Sequence, residues 1–223
     1  MSFEEVDNLA HIFKENLKLE TINENENENE NEYLIKKLKN ILEENKINHF
    51  EEIKKCIDLK KAHIYCKINK INGQETGSLI ENYIKYKYKL TKNKSSLCIG
   101  DLSIKNKNYE IKVSNGGKKN NQFNYVQIRM NHQCEYILTS YYLDKNNIND
   151  LGELFIFKLS KDNMKNLLKK YGHYAHGTKK NLGPITIEDL DNETNIKEYA
   201  LRPKYNDKCF NELLLFRSNE ISI

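Results

Sequence analysis

The sequence predicts an α/β fold of the α+β kind, with strands gathered in the middle of the chain, helices on either side of them, and a helical N-terminal arm in front. Three observations carry this. Apolar residues alternate with polar ones at Tyr109, Ile111 and Val113, and β-rich runs follow at 135–143 and 154–159, the signature of strands. Apolar residues recur at helical intervals along 3–20, 33–46, 77–90 and 160–170. A strict Asn-Glu repeat from Asn23 to Glu32 has no apolar content, so it predicts a solvated or disordered linker within the arm.

In chain order, Phe3, Val6, Leu9, Ile12, Phe13 and Leu17 give a first helix, and Leu34, Ile35, Leu38, Ile41 and Leu42 a second. Asn48, with Glu51 three residues on, starts a third through Ile53, Cys56, Ile57 and Leu59. Residues 1–72 are therefore read as an arm that packs onto the domain formed by 73–223. Thr76 can cap a helix Gly77–Leu90 whose stripe is Leu79, Ile80, Tyr83, Ile84 and Tyr88. Two short strands then meet at a tight turn in Lys105-Asn106-Lys107-Asn108, because Asn tolerates left-handed backbone angles. Phe123–Asn131 is ambiguous. Ser160 caps a helix with Met164, Leu167 and Leu168 inward, ended by Gly172. Residues 172–184 read as a loop, and the tail from Tyr199 to Phe216 packs a last element on the core.

The 223 residues are 38% hydrophobic and 30% charged, so the core is modest. No apolar run reaches the length of a membrane span. The acidic start Met1-Ser2-Phe3-Glu4-Glu5 lacks a signal-peptide pattern, which predicts a cytoplasmic protein, or a nuclear or viral one with a eukaryotic host. Five cysteines, none spaced C-x-x-C, suit reduced thiols and argue against a structural zinc site. Residues 1–50 carry twelve acids against six lysines, so the remainder holds +10 of a whole-chain +4. A basic body behind an acidic arm suits an anionic partner such as nucleic acid.

The chemistry centres on Gly100 to Val113. Folded about Asn106–Lys107, the hairpin places Asp101 roughly across from Lys112 and diagonal to Glu110, while Glu110 and Lys112 share a face. Two carboxylates repel unless a cation joins them, and Mg²⁺ takes one or two carboxylates together with water and phosphate oxygens. An ammonium alongside can hold an attacking water or a developing phosphoryl charge. Phosphodiester hydrolysis uses this set of groups.

Asp101 followed by Glu110-Ile111-Lys112 resembles the D…(E)xK motif of the PD-(D/E)XK nuclease superfamily, and Gly77-Ser78-Leu79-Ile80-Glu81 resembles the helix-borne G-x-x-x-E that often precedes it. Gly100 stands where the motif usually has Pro. The resemblance implies a restriction-endonuclease-like core, a central mixed β-sheet flanked by helices, and, closest in kind, a type II restriction endonuclease cutting double-stranded DNA as a homodimer. It implies Mg²⁺ held by Asp101, Glu110 and the Ile111 carbonyl, with Lys112 positioning the water and Glu81 assisting. Alternatives are a repair or junction-resolving nuclease of the same superfamily and a non-catalytic DNA-binding protein.

DNA contacts are expected from the basic loop holding Lys118 and Lys119, and from Gln127 and Arg129, which point one way if their segment is a strand and match adenine and guanine edges. Arg129 bonded to a buried carboxylate or to a loop carbonyl is the competing reading. His176 and Lys179, in a Gly- and His-bearing loop, complete the set. A zinc pair from His173 and His176 lacks nearby ligands.

Overall fold

The computed structural model describes residues 28–44, 98–104, 106–116, 120–144, 152–175 and 184–218, together with 51, 54, 55, 62, 66, 77, 78, 81, 82 and 93. Its elements are α1 (Glu28–Glu44), β1 (Leu102–Ile104), β2 (Lys107–Gly116), β3 (Tyr125–Ile128), β4 (Glu135–Tyr142), β5 (Glu153–Leu159), α2 (Lys161–Tyr171), β6 (Gly172–Tyr174), α3 (Ile187–Asp191), β7 (Tyr199–Leu201) and α4 (Lys208–Leu214). The class is mixed α and β, with a mixed sheet flanked by helices.

The main sheet runs β1-β2-β4-β5 and the second runs β3-β7-β6. In the main sheet β2 and β4 are parallel, while β1–β2 and β4–β5 are antiparallel. A parallel pair needs a long crossover. Residues 117–134 supply it, and β3 lies within it as an edge of the second sheet. The main core fills the space between the sheets: Tyr125 and Ile128 from β3, Tyr136 and Leu138 from β4, Phe157 and Leu159 from β5, Tyr199 and Leu201 from β7, closed by Leu168 of α2 and Phe210 of α4. Aromatic edges and faces interlock here, with Phe210 edge-on to both Phe155 and Phe157.

Side chains alternate along β4, so its other face needs its own cover. Leu34, Leu38 and Leu42 of α1, one turn apart, meet Tyr141 and Leu143 there, with Ala62 and Cys66. The arm thus contributes a buried stripe to the sheet. Its helix begins at Glu28, inside the Asn-Glu repeat, so the linker expected through Glu32 is helical over its second half. Glu is a good helix former and its charge suits the positive end of the helix dipole, so a helix anchored by its leucines can extend back over the repeat.

Several local expectations change. The strands pair Ile104 with Lys107, Ser103 with Asn108 and Leu102 with Tyr109, so the turn falls one residue earlier than expected. Asn106 takes the left-handed conformation (φ 64°), and Lys107 and Asn108 belong to β2. Within Phe123–Asn131 only Tyr125–Ile128 is a strand. A register shift against β7 falls inside it and Gln127 has φ 56°, so Gln127 and Arg129 do not alternate as one flat strand would place them. Ser160 caps α2 as expected, accepting from the Asn163 N–H. Gly172 ends it without left-handed backbone (φ −73°). A Cβ there would lie 2.3 Å from the Leu168 carbonyl oxygen, so glycine is required by close approach. Gly172, His173 and Tyr174 form β6 against β7, where a loop was expected.

Candidate active site

The order of β1 and β2 brings the three charged residues of the hairpin together. Gly100 has φ +83°, and a Cβ on it would meet the Tyr109 carbonyl oxygen at 2.6 Å; only glycine takes this bend cheaply. The bend lets Asp101 reach β2 at two points. Its N–H donates to the Tyr109 carbonyl (2.8 Å) and its Oδ2 accepts from the Ile111 N–H (2.8 Å). Asp101 therefore brackets Glu110 and lies opposite it, where the sequence reading had put Asp101 across from Lys112. The reason is the turn, centred one residue earlier than expected.

Glu110 and Lys112, two apart on β2, share the face that looks toward the second sheet, at register with Tyr136 and Leu138 of β4. Lys112 Nζ donates to Glu110 Oε1 at 2.6 Å, with the two side chains 16% and 9% exposed. Glu110 is one of very few buried charged residues among those described. Burial is the largest cause holding the Asp101 carboxyl above its ordinary value; the Glu110 carboxylate adds to it and Glu81 contributes less, while the Ile111 N–H and the Lys112 ammonium pull the other way. The Asp101 and Glu110 carboxylates offer a set of oxygen donors here, and a hard divalent cation fits that donor set.

A pocket of about 160 Å³ opens beside the cluster. Helical Gly77 and Glu81 form one wall, Ile111, Lys112 and Val113 of β2 another, and Asn124 to Gln127 a third. Asp101 and Glu110 are not in its wall, so Lys112 links the pocket to the carboxylate pair. Gln127 is exposed there and holds a backbone conformation uncommon for a non-glycine residue. Val126 and Gln127 are set at the pocket by the bulge of β3, and Asn124 is tied to β2 by its N–H donating to Ser114 Oγ (2.7 Å).

Arg129 sits elsewhere. Its Nε and Nη2 both donate to Glu198 Oε1, at 2.9 and 2.5 Å; the partner is a carboxylate, half-buried where a buried one was weighed against base reading. Lys118, Lys119, His176 and Lys179 lie outside the described residues.

The sequence reading missed His132 and Cys134. The turn between β3 and β4 carries both to Glu110: His132 Nδ1 is 3.7 Å from Glu110 Oε2, and a His132 ring nitrogen, the Cys134 sulfur and a Glu110 oxygen lie within 4.8 Å of one another. The only trace in the sequence is the H-x-C spacing of His132-Gln133-Cys134, with its third member on another strand. Burial, with the Glu110 carboxylate, pushes the Cys134 thiol up to about 12.

No family model, curated protein or solved structure matches this chain. Among the described residues no helix is long and apolar enough to cross a membrane.

Proposed function

We propose that this protein is a Mg²⁺-dependent DNA endonuclease of the PD-(D/E)XK type, most similar in kind to a type II restriction endonuclease. The observation that carries the reading is the convergence of Asp101, Glu110 and Lys112 on the middle of β2, with the carboxyl of Asp101 raised first by burial and then by Glu110. Asp101 and Glu110 would hold the cation, with the Ile111 carbonyl as the expected third protein ligand. Bound there, Mg²⁺ supplies charge neutralisation at the phosphate and a more acidic water.

The chain's own residues divide the remaining work. Lys112 places a fixed positive charge between the carboxylates and the pocket, where it orients water and meets charge growing on a phosphate oxygen. Glu81, on the facing helical wall, is placed to accept a proton from that water. Gln127 offers an amide on the pocket rim, suited to a base edge or a phosphate. Lys118 and Lys119 follow directly on β2, and the +10 beyond residue 50 favours an anionic backbone. A homodimer follows if the target is palindromic, since one such site cuts one strand.

The test is supercoiled plasmid incubated with purified protein and Mg²⁺, with the ends sequenced. Cuts at one defined sequence support the reading. Cuts only at branched DNA move it to a junction-resolving nuclease, and RNA digested while DNA stays intact overturns the substrate.

A further inference from the structure

The turn after β3 places a second and chemically different donor set against Glu110. His132 Nδ1 is buried and has no hydrogen-bond partner. A buried ring nitrogen left in this state loses the hydrogen bond it would make to water and needs a reason. It lies 3.7 Å from Glu110 Oε2, while Glu110 Oε1 is already taken by Lys112. Cys134, two residues on, enters the line of β4 on the Glu110 face and completes a group whose donor atoms fall within 4.8 Å of one another. Donors about 2.1 Å from a tetrahedral zinc ion stand about 3.4 Å apart, and those to sulfur slightly more. The His132–Glu110 spacing of 3.7 Å is already close to this, and the other spacings, all within 4.8 Å, contract by at most about 1.4 Å onto an ion.

We propose that Glu110 Oε2, His132 and Cys134 bind a thiophilic divalent cation, Zn²⁺ by preference, in a site that shares Glu110 with the hard-oxygen pair but does not use Asp101. Imidazole and thiolate favour zinc over magnesium. An ion coordinated by a thiol displaces its proton outright. Tyr136 supports the set from behind: its hydroxyl donates to the Arg129 carbonyl (2.9 Å) and meets the Cys134 thiol, as groups flanking ligands do. Three protein donors leave a fourth position to water. The ion ties β2 to the β3–β4 turn and fixes Glu110 with Oε1 turned to Lys112. It neither requires nor establishes cleavage of DNA.

The experiment is Co²⁺ titration of the metal-stripped full chain, followed by absorption and by competition with Zn²⁺. A thiolate-to-cobalt charge-transfer band that Zn²⁺ abolishes is expected. Cys134→Ser should remove the band and weaken Zn²⁺ binding more than about 100-fold, beyond the 10- to 100-fold typical of losing a group behind the ligands. His132→Asn should weaken it comparably, with circular dichroism showing both variants folded. Cys209→Ser, a buried thiol outside the cluster, should leave the band intact. No thiolate band in the wild type overturns the proposal, as does a band that survives Cys134→Ser. Asp101→Asn separates this from the nuclease reading: the cobalt band should persist in it whether or not the wild type cuts DNA.

Discussion

Replacing Lys112 by Met keeps the aliphatic stem and removes the ammonium. Lys112 Nζ and Glu110 Oε1 are 2.6 Å apart, with both side chains mostly out of solvent. Taking one partner from such a pair strands a buried charge at a cost of about 3–5 kcal/mol. His132 Nδ1, 3.7 Å from the other Glu110 oxygen, softens that loss, which sets the expectation near the lower end, about 3 kcal/mol. Urea unfolding at neutral pH in a chelator measures it. If the carboxylates form a cation site, Mg²⁺ restores part of the loss, about 2.7 kcal/mol at a hundredfold excess over its dissociation constant. Glu110→Gln in the same chain removes the stranded charge, so the double variant should lose less than the two singles together. A Lys112→Met protein within about 0.5 kcal/mol of wild type, the range of ordinary surface changes, would refute the pairing and with it the geometry of the site.

Asp101→Asn keeps an acceptor for the Ile111 N–H and removes a carboxyl whose value is raised by burial and by Glu110. A raised carboxyl favours folding below its ordinary value of 3.8 and loses that contribution as pH rises through the folded value. The variant should therefore gain on wild type as pH goes from 4 to about 7 without metal, read by thermal melts; a gap that shrinks over that range would contradict the sign. Gly100→Ala, forced into φ +83° against the Tyr109 carbonyl, should cost about 1–3 kcal/mol and displace Asp101, so stability and cleavage should fall together. Leu38→Ala, in the wholly buried stripe of α1, should cost about 2–5 kcal/mol by urea unfolding. A loss under about 0.5 kcal/mol would mean the arm does not brace the sheet.

What the sequence disclosed depended on the range of the interaction. Ser160, Met164, Leu167 and Leu168 are explained by neighbours within a helical turn, and α2 falls where they put it. The runs at 135–143 and 154–159 are apolar enough to be strands in any setting, and they pair as β4 and β5. The hairpin was legible to within one residue, because two turns one residue apart can both use Asn106 and only the packed sheet chooses between them. β6 and β7 are three residues each and exist because they complete each other, so no local pattern announces them. The same applies to the site. Asp101, Glu110 and Lys112 sit on one hairpin and could be read together, and Glu81 came from its helical position. His132 and Cys134 approach Glu110 only through the parallel register of β2 and β4, a contact that spacing along the chain does not encode.

The most direct measurement is single-turnover cleavage of a DNA duplex carrying the mapped site, followed against Mg²⁺ concentration for wild type, Asp101→Asn and Lys112→Met. The account predicts Mg²⁺-dependent cutting by the wild type, none by Asp101→Asn at any Mg²⁺ concentration, and a rate lowered about 10²–10³-fold in Lys112→Met. An Asp101→Asn protein that cuts at the wild-type rate, or a folded wild type that leaves every duplex whole, would contradict it.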